Sequence, residues 1–471
     1  MKQDPHQGGP SAGLVASGDV RELRGANHHD LEGWMAPMSS RELRDAVHGL
    51  IELTDREWQV VDSPAFQRLR SVQQLPLTHL VYPGARHSRF EHCVGACHLA
   101  GRMADRLGLD PRERQRIRAA ALVHDIGHGP FSQVGEFIFE ELTDQTHVHE
   151  KISAAIVKFH PPIRSVLDAD AEWIAELLTG TGHGATRSVA RDIISGSADI
   201  DKMDYLLRDS YFCGVEYGRF DIDKLIESAR LVRNSDYKYL AYDRDGIFAV
   251  ESLLIARYHM HRQVYGHKTR LGIDKMLIRA IVLGVHEGLL PHSVFAPENL
   301  DADFVEEYIG WDDYRTLATL AAAPGSRAGQ IVRALLKRRL MKLVVKFAID
   351  DLRGNEAGRR PAETVKEEQA AAEELIAEAV GVDPMWVAVH WDEPQNSTKE
   401  VSIIDGRTGI VGNFSELSDL FKSGGPRPQP SVSVYALPSA GTDDFSTDAR
   451  NAIRSAALEA LHQVGKAKRA S

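Results

Sequence analysis

The chain has 471 residues, a net charge of −11 and 43% hydrophobic residues, which supply ample material for a core. The acidic balance argues against a protein that coats nucleic acid, because phosphate-backbone binding needs a basic footprint. No apolar run is long enough to span a bilayer, and the three cysteines, Cys93, Cys97 and Cys213, form no disulfide framework. We therefore expect a soluble protein of the reducing cytoplasm.

Helical patterns dominate the first 350 residues, behind a flexible arm. Residues 1–40, which form that arm, lack the apolar stretch of a signal peptide. From 41 to 350, apolar residues recur with the period of an α-helix between short Gly, Pro and Asp turns, which predicts a helical core. Inside it, LVRNSDYKYLAYDRDG alternates apolar and polar residues around a turn, which predicts a small β-hairpin insertion.

The C-terminal part of the chain has a different pattern. Residues 351–382 contain TVKEEQAAAEELIAEAV, whose composition favours a helical connector. From 383 to 471, the segments MWVAVHW, EVSIIDG and SVSVYAL predict strands, and DARNAIRSAALEALHQV predicts a closing helix. The fold predicted for the whole chain is mainly α, with a helical core and a smaller mixed α/β C-terminal lobe.

Four side chains of metal-binding types lie on segments with helical patterning. His92 lies in a segment with an apolar side, and the doublet His124–Asp125 ends an apolar helix that the following glycines and proline must stop. Asp201 lies far downstream, in DIDKMDYLLRD. Two imidazole and two carboxylate ligands suit iron, manganese, nickel or zinc, and they leave room for water and a substrate oxygen. Because a lone HD dipeptide is common by chance, the surrounding segments carry this interpretation.

Several segments in the same order resemble a known family, the HD-domain phosphohydrolases. They run from HGLIEL at 48–53 to YGHK at 265–268, through VVDSPAFQRLRSVQQL, YPGARHSRFEH, LVHDIGHGPFS, HVHE, DIDKMDYLLRD and RYHMHRQVYGHK. Within the family they are most similar to the deoxynucleoside triphosphate triphosphohydrolases, which include dGTPase-like enzymes and the catalytic core of the mammalian SAM-and-HD-domain restriction factor. The resemblance implies an HD-domain helical core over 41–350 and metal-dependent hydrolysis of a dNTP to deoxynucleoside and inorganic triphosphate.

The resemblance also assigns residues that contact the substrate. Arg89, Lys202 and Arg257 match phosphate contacts, where arginine offers a planar fork and lysine a point charge. The residues that match the sugar pocket and its surroundings are Gln74, Leu75, Tyr205, Asp209 and Tyr265. Tyr205 matches a ring against the sugar, which disfavours a ribose 2′-hydroxyl, and Asp209 matches a carboxylate near the deoxyribose 3′-hydroxyl.

Helical spacing places several of these residues on shared faces. In DIDKMDYLLRD, Asp201, Tyr205 and either Arg208 or Asp209 share one face. The residues expected to anchor that helix in the core are Ile200, Met203 and Leu207. In LLIARYHMHRQVYGHK, the residues on one stripe are Arg257, His261, Tyr265 and Lys268. Such a stripe is usually a solvated helix face, but the rings among the cations, together with the resemblance, favour a binding surface.

Proton transfer is the step at which the sequence departs from the family pattern. His128 and His149 match active-site histidines, and an imidazole titrates near neutrality. Gln133 stands where many relatives have a histidine credited with acid duty, and glutamine cannot supply that proton. The expected catalytic residues are His149, His128 and Arg89. The alternatives are an HD phosphohydrolase for another phosphoester, such as a nucleoside monophosphate or single-stranded nucleic acid, and a catalytically weak nucleotide sensor.

A regulatory nucleotide site is a further implication of the resemblance, since relatives bind nucleotides at subunit junctions and assemble tetramers. The residues that match such contacts are Asp62, Gln67 and Arg70 for a guanine base, His267 and Lys268 for other contacts, and Arg41 for a triphosphate. The alternative is that DSPAFQRLR is simply a capped helix, with Asp62 or Ser63 near its start and Pro64 in its first turn.

The expected partners and cofactor follow from these assignments. We expect a dNTP substrate, an activating guanine nucleotide and a homo-oligomer, either a dimer or a tetramer. Neither a membrane nor nucleic acid is expected as the main partner. The expected cofactor is one divalent transition metal, iron, manganese, nickel or zinc, with Mg²⁺ accompanying the nucleotide.

Overall fold

The computed structural model describes residues 41–181, 188–233, 237–349, 352, 362–392, 400–409, 411–423, 425, 429–438, 442 and 444–467. The flexible arm predicted over residues 1–40 lies outside the described residues. The fold is mainly α, as predicted, and the described part of the chain contains three small sheets. Among the described residues, every helix falls short of the length and apolar character that crossing a membrane requires.

Helices account for most of the described chain. In order they are α1 Asp55–Val61, α2 Pro64–Gln67, α3 Arg89–Arg106, α4 Pro111–Val123, α5 Ser132–Thr143, α6 Val148–Phe159, α7 Pro161–Leu167, α8 Ala171–Thr179, α9 Val189–Ser195, α10 Ile200–Cys213, α11 Ile222–Ser228, α12 Ile247–Met260, α13 Lys268–His286, α14 His292–Phe295, α15 Ala302–Tyr308, α16 Asp313–Ala321, α17 Arg327–Leu336, α18 Ala362–Val380, α19 Phe414–Leu417 and α20 Thr447–Ala467. A π-helical turn, His261–Tyr265, follows α12 directly.

The strands form three separate sheets. In chain order they are β1 Arg41–Asp45, β2 Gly49–Leu53, β3 Ala229–Arg233, β4 Lys238–Asp243, β5 Lys342–Ala348, β6 Val387–Asp392, β7 Ser402–Ile404, β8 Val411–Asn413 and β9 Ser431–Ala436. β1 and β2 form an antiparallel hairpin. β3 and β4 form the predicted hairpin, and β4 pairs in parallel with β7, which pairs with β8. The third sheet has the order β5–β9–β6.

The described residues bury two hydrophobic cores. The large core joins the helices of the first part of the chain and includes Leu99, Leu122 and Met203, none of which is exposed. The small core packs the β5–β9–β6 sheet against α18 and α20, for example through Val389 and Ala457. Strands β6 and β9 and helix α20 of this core belong to the predicted α/β lobe, and α18 is the predicted helical connector. Strand β5 was not expected, because it lies in a segment predicted as helical core, and the predicted strand β7 pairs instead with β4 beside the large core. The exact domain boundaries stay predictions.

Three helices of the large core, α3, α4 and α10, hold the candidate site, and local capping fixes where each begins. Ser88 and Glu91 form a capping box at the start of α3. α4 begins at Pro111, behind an Asp110 side chain that accepts two backbone N–H bonds. The Asp199 side chain caps α10 by accepting the backbone N–H of Lys202. Each helix therefore starts at a residue that its own sequence specifies.

Two expectations about helix faces are corrected by the structure. Leu206 is fully buried on α10, whereas Leu207 is only half-buried, so the anchoring leucine is the earlier of the two. The stripe from Arg257 to Lys268 is not continuous, because a π-helical turn follows α12 at Met260 and Lys268 begins a new helix. A π turn adds a residue per turn, which rotates everything beyond it relative to the α-helical spacing.

Candidate metal centre and substrate pocket

Three helix ends bring together the four predicted metal ligands. His92 lies in the first turn of α3, and Asp201 lies in the first turn of α10. α4 ends at Val123, so His124 and Asp125 stand at its C-terminus. One ligand atom from each of the four side chains lies within 4.8 Å of all the others. Residues separated by more than a hundred positions in the chain thus converge on one point.

The nitrogens and the carboxylate oxygens of this cluster face one another. His92 Nε2 lies 3.3 Å from Asp125 Oδ2 and 3.2 Å from Asp201 Oδ1. His124 Nε2 lies 3.4 Å from Asp125 Oδ1 and 3.7 Å from Asp201 Oδ1. Both Nε2 atoms are buried, and neither has a hydrogen-bond partner among the described residues. A buried polar atom without a partner is costly, so the arrangement fits a bound cation.

The outer nitrogen of each imidazole has its own acceptor. His92 Nδ1 lies 2.8 Å from Asp204 Oδ2, and His124 Nδ1 lies 2.7 Å from the Ala121 carbonyl oxygen. In the neutral imidazole, Nδ1–H donates to these acceptors and Nε2 keeps its lone pair. Two such nitrogens and two carboxylates form a ligand set that fits a divalent transition metal.

The electrostatics of the cluster favour positive charge at its centre. Burial opposes protonation of His92, but the facing carboxylates of Asp125, Asp201 and Asp204 together outweigh it and raise the pKa of His92 well above its usual value. Burial opposes protonation of His124 as well, but the carboxylates of Asp125 and Asp201 together outweigh it and raise the pKa of His124. Burial alone would raise the pKa of Asp125, yet the neighbouring cations hold it well below the usual range. Protons therefore compete with any metal for these ligands.

The three predicted phosphate cations have different environments. The buried Arg89 guanidinium contacts the Asp125 carboxylate, and its Nε donates to Ser132 Oγ at 3.0 Å. Lys202 Nζ donates to Asp199 Oδ2 at 2.7 Å and to a backbone carbonyl. Arg257 Nε is buried without an acceptor among the described residues. Of the three cations, Arg257 is therefore the one with a buried N–H group that a bound phosphate could satisfy.

The predicted sugar residues meet in a buried network around Asp209. Tyr265 O–H donates to Asp209 Oδ2 at 2.6 Å, and His87 Nε2 lies 2.7 Å from Asp209 Oδ1. The rings of Tyr205 and Tyr265 meet edge to face, with centroids 6.4 Å apart. Burial raises the pKa of Tyr205, and the charges of Lys202 and Arg257 oppose that rise. Lys202 and Arg257, two of the three predicted phosphate cations, are thus close enough to Tyr205 to act on it electrostatically.

Gln74 and Leu75 lie beside this network. The Gln74 backbone N–H donates to the His87 carbonyl at 3.0 Å, while the side-chain Oε1 is buried without a partner among the described residues. Leu75 is 7% exposed and belongs to the large core. The unpaired amide oxygen is an acceptor that a ligand hydroxyl would satisfy.

The histidines predicted to handle protons lie together, whereas Gln133 does not join them. His128 and His149 stack in parallel, with ring centroids 4.2 Å apart. His149 Nδ1 lies 3.0 Å from Glu136 Oε1, and this carboxylate outweighs burial and raises the pKa of His149. Burial and the charge of Arg89 hold the pKa of His128 well below its usual value. The Gln133 side chain is exposed.

The predicted regulatory residues form two groups. Asp62 lies 4.0 Å from Arg41, and the Arg70 side chain donates to Gln67 at 2.9 Å. His267 caps α13 and packs edge-on against a tyrosine ring, next to Lys268. Among the described residues, no hydrogen bond, ion pair or ring contact joins these two groups.

The capped-helix interpretation of DSPAFQRLR has direct support. Ser63 accepts from the backbone N–H of Phe66 at 3.4 Å, and Pro64 begins α2. Capping explains Ser63 and Pro64 without explaining Asp62, whose side chain is 61% exposed. The nucleotide interpretation of Asp62 stays a prediction.

The sequence interpretation missed several residues that hold this site. Asp204, His87 and Glu136 contact His92, Asp209 and His149 respectively. The position of Asp204 could have been noticed in the sequence, because it follows Asp201 by three residues and so lies on the same side of the predicted helix. His87 lies within the conspicuous segment YPGARHSRFEH but has no spacing of its own. Glu136 gave no signal beyond being one of several acidic residues in α5.

Comparisons with known proteins agree with this geometry. The HD domain matches residues 89–209, and the HD associated region matches residues 220–457, which is just over half of the chain. An uncharacterized protein of Methanocaldococcus jannaschii is 31% identical over 310 residues, covering 66% of this chain and 60% of that protein. The deoxynucleoside triphosphate triphosphohydrolase SAMHD1 homolog of Dictyostelium discoideum is 32% identical over 276 residues, covering 55% of this chain and 53% of that protein. In both cases the match spans less than two thirds of the relative.

Solved structures share the fold. A hypothetical protein from Aquifex aeolicus, at 26% identity, superimposes with a TM-score of 0.67 over 88% of this chain and 100% of that one. A phosphohydrolase from Bacteroides thetaiotaomicron, at 23% identity, gives a TM-score of 0.68 over 85% of this chain. With its HD domain followed by the HD associated region, the chain belongs to the HD-domain phosphohydrolase family.

Proposed function

We propose that this chain hydrolyses a deoxynucleoside triphosphate to deoxynucleoside and inorganic triphosphate. The observation that carries the proposal is the pair of buried, unpartnered Nε2 atoms of His92 and His124, facing two carboxylates. The arginine and lysine groups beside them supply the positive charge that a triphosphate needs. The metal-binding residues are His92, His124, Asp125 and Asp201, and the metal is iron, manganese, nickel or zinc.

The residues of the chain divide the work of the reaction. When bound, the metal supplies Lewis acidity that activates water and polarises a phosphoryl oxygen. Arg89 borders the cluster and offsets charge on the α-phosphate, while Lys202 and Arg257 offset charge further along the triphosphate. Water adds its oxygen to the α-phosphorus and releases one proton to solvent, and the bond from that phosphorus to the sugar oxygen breaks, so that triphosphate keeps the oxygen of water.

The leaving sugar oxygen needs a proton, and His149 is the residue best placed to hold one. The Glu136 carboxylate outweighs burial and raises the pKa of His149, which favours the protonated imidazole that a general acid needs. His128, whose pKa is lowered, stacks on it as a neutral ring and fixes its plane. Gln133 is exposed and takes no part in this step.

The network around Asp209 accounts for a preference for deoxyribose. Tyr265 and His87 both bind the Asp209 carboxylate and fix it, so that it can accept from a 3′-hydroxyl. The Tyr205 ring stands beside Tyr265, where its bulk disfavours a 2′-hydroxyl. Gln74 Oε1 offers a further acceptor.

Two other activities stay open for this site. A catalytically weak nucleotide sensor is favoured by one observation: Gln133 stands where the family resemblance leads one to expect a histidine that acts as the acid. Hydrolysis of another phosphoester, such as a nucleoside monophosphate or single-stranded nucleic acid, would use the same metal ligands. A triphosphate carries more negative charge than a monoester and needs several cations, so the three cations Arg89, Lys202 and Arg257 favour a dNTP over the other substrates.

A guanine nucleotide is the proposed activator, bound where Arg41 lies near Asp62 and Arg70 binds Gln67. The carboxylate accepts from guanine N–H donors, and the arginines reach its carbonyl and phosphates. His267 and Lys268 would complete such a site from a second copy of the chain, because no described hydrogen bond, ion pair or ring contact joins them to this group within one chain. The proposed assembly is a dimer or tetramer.

One experiment tests the activity directly. The purified protein is incubated with each dNTP alone, all four mixed, and nucleoside monophosphates, with Mn²⁺, Fe²⁺ or Mg²⁺. We expect deoxynucleoside and inorganic triphosphate to appear together in equal amounts. Orthophosphate or pyrophosphate as the primary product would refute the triphosphohydrolase proposal, and nucleotide binding without any product would favour the sensor.

A further inference from the structure

A buried carboxylate outside the four-ligand cluster, that of Asp204, contacts the outer nitrogen of one ligand. Asp204 Oδ2 lies 2.8 Å from His92 Nδ1, and both side chains are 0% exposed. Arg208 donates to the two Asp204 oxygens at 2.8 Å each. His48 Nε2 lies 2.7 Å from Asp204 Oδ1. The Asp204 carboxylate is therefore held from three directions.

The hairpin β1–β2 supplies the third of these contacts. Asp45 Oδ1 accepts the backbone N–H groups of Val47 and His48, both at 2.8 Å, which shapes the turn that presents the His48 ring. Asp45 Oδ2 accepts from Arg208 Nη1 at 2.7 Å. One turn of the hairpin thus contacts both Arg208 and Asp204. Its two contacts reach across 163 and 156 residues of sequence.

Helix α3 is shaped to admit this network. A Cβ atom at Gly95 would collide with the Asp204 carboxylate and the Arg208 guanidinium. Gly95 follows His92 by three residues, so it lies on the same side of the helix. Only glycine lets the charged pair approach α3 closely enough to reach the His92 ring.

We propose that Asp204 is a positioning residue for the metal ligand His92, and that the hairpin β1–β2 completes it through His48 and Asp45. The inference rests on the metal-binding part of the proposed function and not on the identity of the substrate. Asp204 accepts a hydrogen bond from the Nδ1–H group of His92, so the Nε2 lone pair points at the cluster. Arg208 and His48 prevent the carboxylate from rotating away.

The test is a titration with Co²⁺ alone, followed by visible absorption, in the absence of any nucleotide. Asp204→Asn keeps the shape of the side chain but replaces one acceptor oxygen with a donor. We expect it to weaken Co²⁺ binding about 10–100-fold and to alter the absorption bands. His48→Ala removes one of the contacts that hold the carboxylate, so we expect a smaller loss in the same direction.

Two matched variants separate positioning from general packing. Glu57→Gln removes one charge from the buried Glu57–Arg118 ion pair, which also lies against α3 but involves none of the four ligands. His98→Ala removes a ring whose centroid lies 5.5 Å from that of His48. The described residues show no hydrogen bond between His98 and Asp204. We expect both controls to bind Co²⁺ as the wild type does.

The possible results divide cleanly. Wild-type Co²⁺ affinity in a folded Asp204→Asn protein would overturn the proposal, as would equal losses in the controls. If Asp204→Asn does not fold, His48→Ala decides: weaker Co²⁺ binding with altered bands supports the proposal, and unchanged binding overturns it. Since no nucleotide is present, absence of dNTP hydrolysis would not affect the outcome.

Discussion

The imidazole of His149 lies face to face with that of His128, with ring planes 10° from parallel. Glu136 contacts only the first of these rings, and its carboxylate also accepts the backbone N–H groups of Val148 and His149. One carboxylate therefore fixes both the ring and the start of α6. The two histidines consequently differ in pKa, with that of His149 raised and that of His128 lowered.

This asymmetry predicts which residue supplies the proton. We expect His149→Ala to lower kcat by about 10²–10⁴-fold, the usual cost of losing a general acid. The matched variant Gln133→Ala should leave kcat nearly unchanged, because that side chain is exposed and apart from the histidine pair. Steady-state release of triphosphate measures both. A harmless His149→Ala, combined with an inactive Gln133→Ala, would contradict the assignment.

The contact between Glu136 and His149 also predicts a pH dependence. Glu136 raises the pKa of His149, so the protonated imidazole is present below that pKa and is lost as pH rises through it. Glu136→Gln removes this influence, so we expect the alkaline limb of the kcat profile to move to lower pH. Glu141→Gln, which removes a charge from the same helix, is the control. Identical alkaline limbs in wild type and Glu136→Gln would count against His149 as the acid.

The four-ligand cluster predicts that metal and fold can be separated. We expect the double variant His124→Ala, Asp125→Ala to lose its metal, measured by elemental analysis, while circular dichroism shows that the helices persist. The reason is that α4 ends at Val123, so neither side chain is needed to form a helix. His160→Ala removes a buried imidazole elsewhere and should keep its metal. Unchanged metal content in the double variant would remove the basis of the proposed chemistry.

The sequence was a good guide to local structure. The end of α4 at the His124–Asp125 doublet was predicted from the glycines and proline that follow it. The caps Asp110 and Asp199 also depend on residues close together in the chain, although the patterns above did not single them out. The four ligands could be chosen by type and by resemblance. The hairpin β3–β4 and the helices of the C-terminal lobe also followed from local patterns.

Contacts between distant segments could not be predicted in the same way. His48 and Asp204 are 156 residues apart, and nothing in either segment specifies the other. The parallel pairing of Tyr242 with Ile403 likewise depends on how two regions of the chain pack. The π turn after Met260 broke the predicted stripe, because a one-residue insertion in a helix leaves no periodic signature.

The group formed by Arg41, Asp62, Gln67 and Arg70 predicts a response to guanine nucleotides. We expect GTP or dGTP to raise the molecular mass measured by light scattering for the wild type, but not for Asp62→Ala. The exposed Asp223, which pairs with an arginine elsewhere on the surface, provides the control variant Asp223→Ala. If mass and activity ignore the nucleotide in every protein, these residues only cap and pack α2.

The position of Tyr205 predicts how the site distinguishes the two sugars. Its ring meets Tyr265 edge to face, and Tyr265 binds the Asp209 carboxylate, so the ring stands beside the proposed sugar site. Tyr205→Ala should open space there and lower the ratio of kcat/KM for a dNTP to that for the matching ribonucleotide by about 10-fold.

A tyrosine on the same helix provides the control. Tyr211 also lies on α10, but its side chain is exposed, with 55% of its surface accessible, so Tyr211→Ala should keep the wild-type ratio. The measurement is a competition between the two nucleotides in one reaction, which cancels errors in enzyme concentration. An unchanged ratio in Tyr205→Ala would show that the ring does not select the sugar, and the Asp209 network would then have to do so alone.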